Sequence, residues 1–409
     1  MNGARFLGGW RRLWLAAGAL AGVVCLAGCQ TAAYYRQAAG GQWQILANRE
    51  PIGKMLAGAA TSERLKDQLR LVLRLREFAE HELKLPVNGH YERYVDVGRP
   101  FVVWSVQATP ELSLQPTTWW YPIVGRLKYR GYFAEADARE YAATLPGQDV
   151  YVEGVRAYST LGWFADPVLN TFVQHAEIDL AQLLFHELGH QRLFVKGDTD
   201  FNEAFATAVG EEGVRRWLQA VGRAADWKNY REALERQGRF VRLVQGARER
   251  LRQLYGETAG DETGVGARPR KIPVAGADRR GQKAEVIAQL RRDYAALKSS
   301  WGGYAGYDRW FSLPLNNAQL NTVATYHDLV PGFQALLQSC GGDLPRFYAL
   351  AARVGNLSPS LRRARLVDLG AAVRPDREIA GRLWYDPAMD CPAPMEPVRK
   401  LFGKIENLR

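Results

Sequence analysis

The sequence predicts an α+β fold: a small N-terminal sheet lobe, then one apolar helix, then a larger C-terminal helical lobe with a long helical arm. Three observations predict it. Strand-like runs cluster between Phe101 and Thr160. An apolar helical run follows, carrying Ile178, Leu180, Leu183, Leu184, Leu188 and Leu193 at helical spacing. Beyond it, long arginine-rich stretches repeat apolar residues at near-heptad intervals.

Residues 1–28 read as a processing signal outside the fold. Arg5, Arg11 and Arg12 precede an uncharged apolar core from Leu13 to Cys25, too short for a comfortable membrane span. A short mixed segment, Ala32 to Leu56, reads as helix. Ser62 to Leu85 is an amphipathic helix, with Leu65, Leu69, Val72, Leu75 and Phe78 on one side. Phe101 to Ala108 reads as a buried strand, and Thr118 to Phe133 and Asp149 to Thr160 as further strands with a short helix, Glu135 to Leu145, between them. Tyr230, Leu234, Val241, Val244, Leu251 and Leu254, then Val286, Leu290, Tyr294 and Leu297, predict two long helices joined by a loop from Gly256 to Ala277. They form an antiparallel arm over 226–299. The expected organisation is one globular unit over 29–371, with an N-lobe over 29–175 and a helical lobe over 176–371, and a Pro-rich tail over 372–409.

The apolar helix carries His186-Glu187-Leu188-Gly189-His190. Positions i and i+4 lie on one helix face, so His186 and His190 can aim imidazole nitrogens at one ion. Glu187 is rotated by about 100° from His186, which puts it beside the ion rather than on it. Glu203, in Asn202-Glu203-Ala204, stands thirteen positions after His190 and offers a third ligand. The short turn Lys196 to Asp200 lets its helix fold back toward the histidines. Two imidazoles and one carboxylate suit a single Zn2+ with one position left open. Asp200-x-x-Glu203 also fits a capping box, in which the glutamate returns a hydrogen bond to the helix start; Glu211 and Glu212 are then the alternative ligands. His81-Glu82-Leu83-Lys84-Leu85 opens the same way without a second histidine and reads as a helix end.

The formal net charge is +11, of which three charges belong to the N-terminal segment. A basic chain can lie close to anionic lipid or polymer, but no recognition motif points to nucleic acid. Of four cysteines, Cys340 and Cys391 lie far from the metal motif; they can form a disulfide or stay as buried thiols.

Leu26-Ala27-Gly28-Cys29 resembles a bacterial lipobox, followed by Gln30 rather than an aspartate. That resemblance implies lipid on Cys29 and a place on the periplasmic face of the outer membrane. The order of sheet, H-E-x-x-H helix and helical lobe resembles the gluzincin metallopeptidases. Within them the chain is similar to bacterial lipoproteins described as putative aminopeptidases, on stretches such as Val124 to Phe133, Ser159 to Pro167, Phe185 to Gln191, Asn202 to Ala206, and Asn316 to Leu320 with Ala324 to Tyr326.

The resemblance implies a zinc-dependent peptidase acting on a peptide or protein, with Glu187 as general base. Tyr326 and His327 are the candidate donors to the developing oxyanion. Tyr158, Ser159 and Thr160 end a strand along which substrate backbone can add. Asp166 can anchor a substrate amine or simply shape an Asp-Pro turn. Relatives of the thermolysin type place an orienting aspartate where Thr207 stands, and the G-x-M-E-N amine-anchoring motif is absent before His186. A non-catalytic zinc-binding lipoprotein scaffold is the contrasting expectation, and a closed site that includes His175 would favour it. Oligomeric state is not set by any of these features.

Overall fold

A computed structural model describes residues 31–121, 125–157, 165–257, 276–324 and 329–372. Helix α1 (31–47) leads into β1 (Glu50–Pro51) and α2 (Ile52–Ala57). Helix α3 spans Glu63–His81, capped by Ser62, whose side chain accepts from the Leu65 N–H. It stops short of the expected Leu85 because Lys84 takes a positive φ of 56°, which no helix interior tolerates.

Among the described residues the expected sheet is three small ones. β2 (Arg93–Val95) pairs antiparallel with β1 and parallel with β8 (Val168–Leu169). β3 (Val103–Pro110) lies between β6 (Arg130–Tyr132) and β7 (Gln148–Val155), antiparallel to both. β4 (Trp119–Tyr121) and β5 (Gly125–Leu127) form a separate hairpin. Helix α4 (Glu135–Ala143) packs on the β3 sheet, burying Trp104, Val106, Tyr132 and Ala138. β7 ends at Val155, before the expected Thr160; residues 158–160 lie outside the described ones.

The remaining elements are helices: α5 (Asn170–Val173), α6 (Glu177–Arg192), α7 (Thr199–Ala220), α8 (Asp226–Tyr255), α9 (Gly276–Ser300), α10 (Asp308–Ser312), α11 (Asn317–Ala324), α12 (Val330–Ser339), α13 (Leu344–Gly355) and α14 (Pro359–Ala372). One core joins α3, α6, α7 and α12 to α14. Leu69, Val72 and Leu75 of α3 are sealed there with Leu180, Leu184, Phe185, Phe205, Phe333 and Phe347. Burial of such side chains contributes roughly 1.5–3 kcal/mol each, so this core holds the central helices rigidly.

The arm is antiparallel, as the heptad-like spacing predicts: Arg239 reaches Ser300 and Arg250 reaches Asp293. It does not project freely. Val241, Val244 and Leu251 of α8 form a second core with Leu290 and Tyr294 of α9, Leu320 of α11, and Leu114 from the sheet region. Lys283 pairs with Asp149 at 2.6 Å. The buried Asn317 donates to the Glu111 and Ser113 carbonyls. Cys340 is a buried free thiol among the described residues, while Cys391 lies outside them. No described helix is long and apolar enough to cross a membrane.

Candidate metal centre

Helices α6 and α7 run antiparallel, joined by a turn at 193–198. Small residues let them approach closely. A Cβ on Gly189 would meet Ala206 Cα at 3.2 Å, and one on Gly210 would meet the Gln182 carbonyl oxygen at 3.1 Å and His186 Cβ at 3.4 Å. The turn is closed by Asn202, which donates to the Val195 carbonyl at 2.8 Å and accepts from the Val195 N–H at 2.7 Å. Asn202 is buried, and a side chain that answers both polar groups of one residue fixes where its own helix starts. The helix cap is Asp198, which accepts from Phe201 N–H at 3.0 Å and is itself held by Arg362. The capping-box reading of Asp200 and Glu203 is therefore overturned, since α7 starts at Thr199 with its cap at Asp198, two residues before Asp200. Glu203 is left free to turn sideways to α6.

There it meets both histidines. His186 Nε2 is 3.2 Å from Glu203 Oε2, and His190 Nε2 is 3.7 Å from Oε1. The two rings lie 4.9 Å apart and nearly perpendicular, at 87°. One ligand atom from each of the three residues lies within 4.8 Å of the others. Burial raises the Glu203 carboxyl, but the hydrogen bonds from His186 and His190 outweigh it and hold it down at about 2. The donor set fits a divalent ion: two imidazoles and a carboxylate converge from two helices, the imidazole N–H groups donating to the Glu203 carboxylate where a metal's charge would otherwise stand. Glu211 is occupied by Gln334 at 2.6 Å, and Glu212 by Arg215 and Arg216. His175 faces Arg156 instead of the cluster.

A family model described as "Putative aminopeptidase" matches residues 33–366. The chain belongs to that family. Nothing among curated proteins or solved structures matches it significantly. The family match spans the sheets, the α6–α7 pair and the helices behind them, so the metal cluster lies well inside it.

In this member of the family, Glu187 lies beside the cluster. Burial pushes its carboxyl up; His186 and His190 draw it down, Glu203 and Asp166 push it up again, and it ends raised. A raised carboxyl closer to neutrality suits a general base. Asp166 is buried, and its backbone N–H donates to His90 Nδ1 at 3.0 Å. Its carbonyl accepts from the Tyr91 N–H at 2.8 Å, and its charge reaches Glu187. Tyr91 itself has a positive φ of 61°, and the other non-glycine residues with positive φ among those described are Lys84 and Asn88 of the same loop. Tyr158, Ser159, Thr160, Tyr326, His327 and Cys29 lie outside the described residues.

Thr207 stands where the orienting carboxylate was expected, its Oγ1 3.5 Å from His186 Nδ1. Partners of this kind fix ring orientation and ligand basicity. Thr207→Val is expected to weaken metal affinity about tenfold without changing its stoichiometry, measured by competition with a fluorescent chelator. His190 Nδ1 is buried with no partner among the described residues.

The histidine also sets a pH dependence. Burial lowers the His190 pKa, but its hydrogen bond to Glu203 and the charges of Glu203 and Glu187 outweigh that and raise it. A raised folded value contributes stability below the unfolded value of about 6.5, lost as pH rises through the folded one. A metal needs the neutral ring. The melting temperature of chelator-treated protein is therefore expected to fall as pH rises above about 6.5. In excess zinc it rises over the same range; calorimetric scans check both.

Proposed function

We propose that the protein is a zinc-dependent peptidase that hydrolyses peptide bonds in the bacterial envelope, as an aminopeptidase. The observation that carries this is the convergence of His186, His190 and Glu203 with the unligated Glu187 beside them. His186, His190 and Glu203 would hold the ion. When bound, it would polarise the scissile carbonyl and make water a better nucleophile near neutral pH. Glu187 takes the proton from the attacking water as its oxygen bonds to the carbonyl carbon. It returns that proton to the leaving nitrogen as the C–N bond breaks, so each product ends with one half of the water.

β7 is an edge of its sheet, paired with β3 on one side. On the other side the Val150 carbonyl accepts from Asn316 Nδ2 at 2.9 Å. Substrate backbone would pair along this edge from Val152 onward. The scaffold reading has no support of its own, since His175 does not join the cluster.

Envelope location rests on the lipobox-like Cys29. Membrane fractionation is expected to find wild type with the outer membrane and Cys29→Ala released to the soluble fraction; equal distribution would contradict anchoring. The function itself is tested on a peptide library with zinc-loaded protein. Loss of N-terminal residues, abolished by chelator, supports the aminopeptidase reading. Internal cuts alone would make it an endopeptidase, and no cleavage would refute the reading.

A further inference from the structure

Helix α1 presents two faces of opposite character. Its inward face is clamped to β6. Gln37 Nε2 donates to the Gly131 carbonyl at 3.3 Å, and Gln37 Oε1 accepts from the Phe133 N–H at 3.0 Å. The Tyr34 ring meets that of Tyr132 edge-on at 5.5 Å, with the Arg130 guanidinium over it at 4.0 Å. Beyond Gln37, Gly41 lies where a Cβ would strike the Phe133 ring, and Ile45 is buried. Tyr34, Gln37, Gly41 and Ile45 recur at helical spacing, so the roll of α1 on the sheet is fixed.

The outward face is open to solvent. Tyr35, Ala39 and Trp43 form one stripe at i, i+4 and i+8. Tyr35 is 41% exposed and Trp43 71%. Ala32, Arg36 and Gly40 run beside the stripe, all exposed, and a Cβ on Gly40 would meet nothing within 4 Å. Single exposed apolar residues are ordinary, but a continuous aromatic and small-residue stripe on a fixed helix marks a contact surface.

Charge and the start of the helix say what covers it. No aspartate or glutamate occurs from residue 31 to residue 49, whereas Arg36 and Arg49 do. The helix therefore brings only positive charge, which suits an anionic surface. Tryptophan and tyrosine favour the boundary of a bilayer, where an apolar ring with a polar edge meets both phases. Cys29, the proposed point of lipid attachment, stands two positions before the first helical residue. Two residues span at most about 7 Å, so a lipid on Cys29 holds the start of α1 at the headgroups. The helix is not long and apolar enough to cross the bilayer, and a helix of this kind lies on it.

We propose that α1 lies along an anionic lipid surface, with Tyr35, Ala39 and Trp43 seated at headgroup depth and Arg36 among the phosphates. The inference rests on lipid attachment at Cys29 and is independent of the peptidase chemistry. A lipid alone tethers the chain at one point and lets it swing. The helix face adds a second contact and sets which way up the protein sits. Gln37 passes that orientation to β6, and Arg49, whose Nη1 donates to the Ala165 carbonyl at 3.4 Å, passes it to the loop of Asp166.

The test uses the full mature chain, lipidated at Cys29, in vesicles of phosphatidylglycerol and phosphatidylethanolamine. Trp43 fluorescence is read as the difference between wild type and Trp43→Phe. The quenchers are acrylamide in the water and nitroxides fixed on the lipid, at headgroup depth or at the chain ends. Acrylamide quenching of Trp43 is expected to fall at least about twofold from that of the unlipidated Cys29→Ala chain in buffer, and the headgroup nitroxide to quench more than the deep one. Ala39→Glu sets a negative charge in the stripe without touching the β6 side. It is expected to melt with wild type and stay on the vesicles through Cys29, while acrylamide quenching of Trp43 returns to its buffer value. Leu361→Glu, at a side chain 61% exposed on α14, changes nothing. A wild type held on vesicles with Trp43 as open to acrylamide as in buffer overturns the proposal and leaves lipid attachment standing. So does an Ala39→Glu chain that behaves as wild type. Trp43 already shielded in the lipid-free Cys29→Ala chain also overturns it, since the face is then covered by another part of the chain or a second copy. A wild type that the vesicles do not retain overturns lipid attachment and this proposal together.

Discussion

Glu187→Gln is expected to lower peptide cleavage by about 10²–10⁴-fold while zinc content stays at one ion per chain. The amide has the shape of the acid and keeps its packing in α6, but it cannot accept a proton. Glu187 takes no part in the cluster formed by His186, His190 and Glu203, so removing its charge leaves the ligands in place. Burial, against the pull of the two histidines, raises its carboxyl, the direction that would make it a better proton acceptor. The measurement is kcat on the best library peptide, with zinc determined on the same sample. Retained cleavage would remove Glu187 from the chemistry; loss of zinc with cleavage would make it a ligand.

Glu203→Ala is expected to do the opposite, abolishing activity by removing the ion. Changes to groups that merely orient a ligand cost about 10–100-fold in affinity, so deleting a ligand should cost at least a hundredfold by the same scale. His186 and His190 would remain one turn apart on α6, a pair without the carboxylate that closes the triangle. Titration of the chelated variant with zinc checks this. Affinity at wild-type level would show that another acid completes the site, although Glu211 and Glu212 are held by Gln334 and by Arg215 and Arg216.

Much of this site was legible in the sequence, because its information is local. The i, i+4 histidines share a face whatever surrounds them, and the short turn before Thr199 brings the following helix back. The reason Glu203 points at them was not legible. It rests on Asn202 closing the turn onto Val195 and on Asp198, not Asp200, capping α7. Both depend on where a loop crosses itself. The long helices and their antiparallel pairing followed from apolar spacing. Their burial against Leu114 and the sheet did not, since a heptad pattern shows which face is buried and not by what. The three small sheets were read as one because alternation marks strands without naming partners. The salt bridge between Lys128 and Asp200, which ties the β5–β6 corner to α7, is one that no local pattern announces. The same holds for Asp166, His90 and Tyr91, drawn together from two distant loops.

The most direct test of the account is a crystal structure of the zinc-soaked protein, with the ion located by anomalous scattering at its absorption edge. The account predicts a single strong peak among the His186 and His190 Nε2 atoms and the Glu203 carboxylate, with one coordination position not filled by protein and facing Glu187. A peak elsewhere, or an ion at this place closed by a fourth side chain, would contradict it.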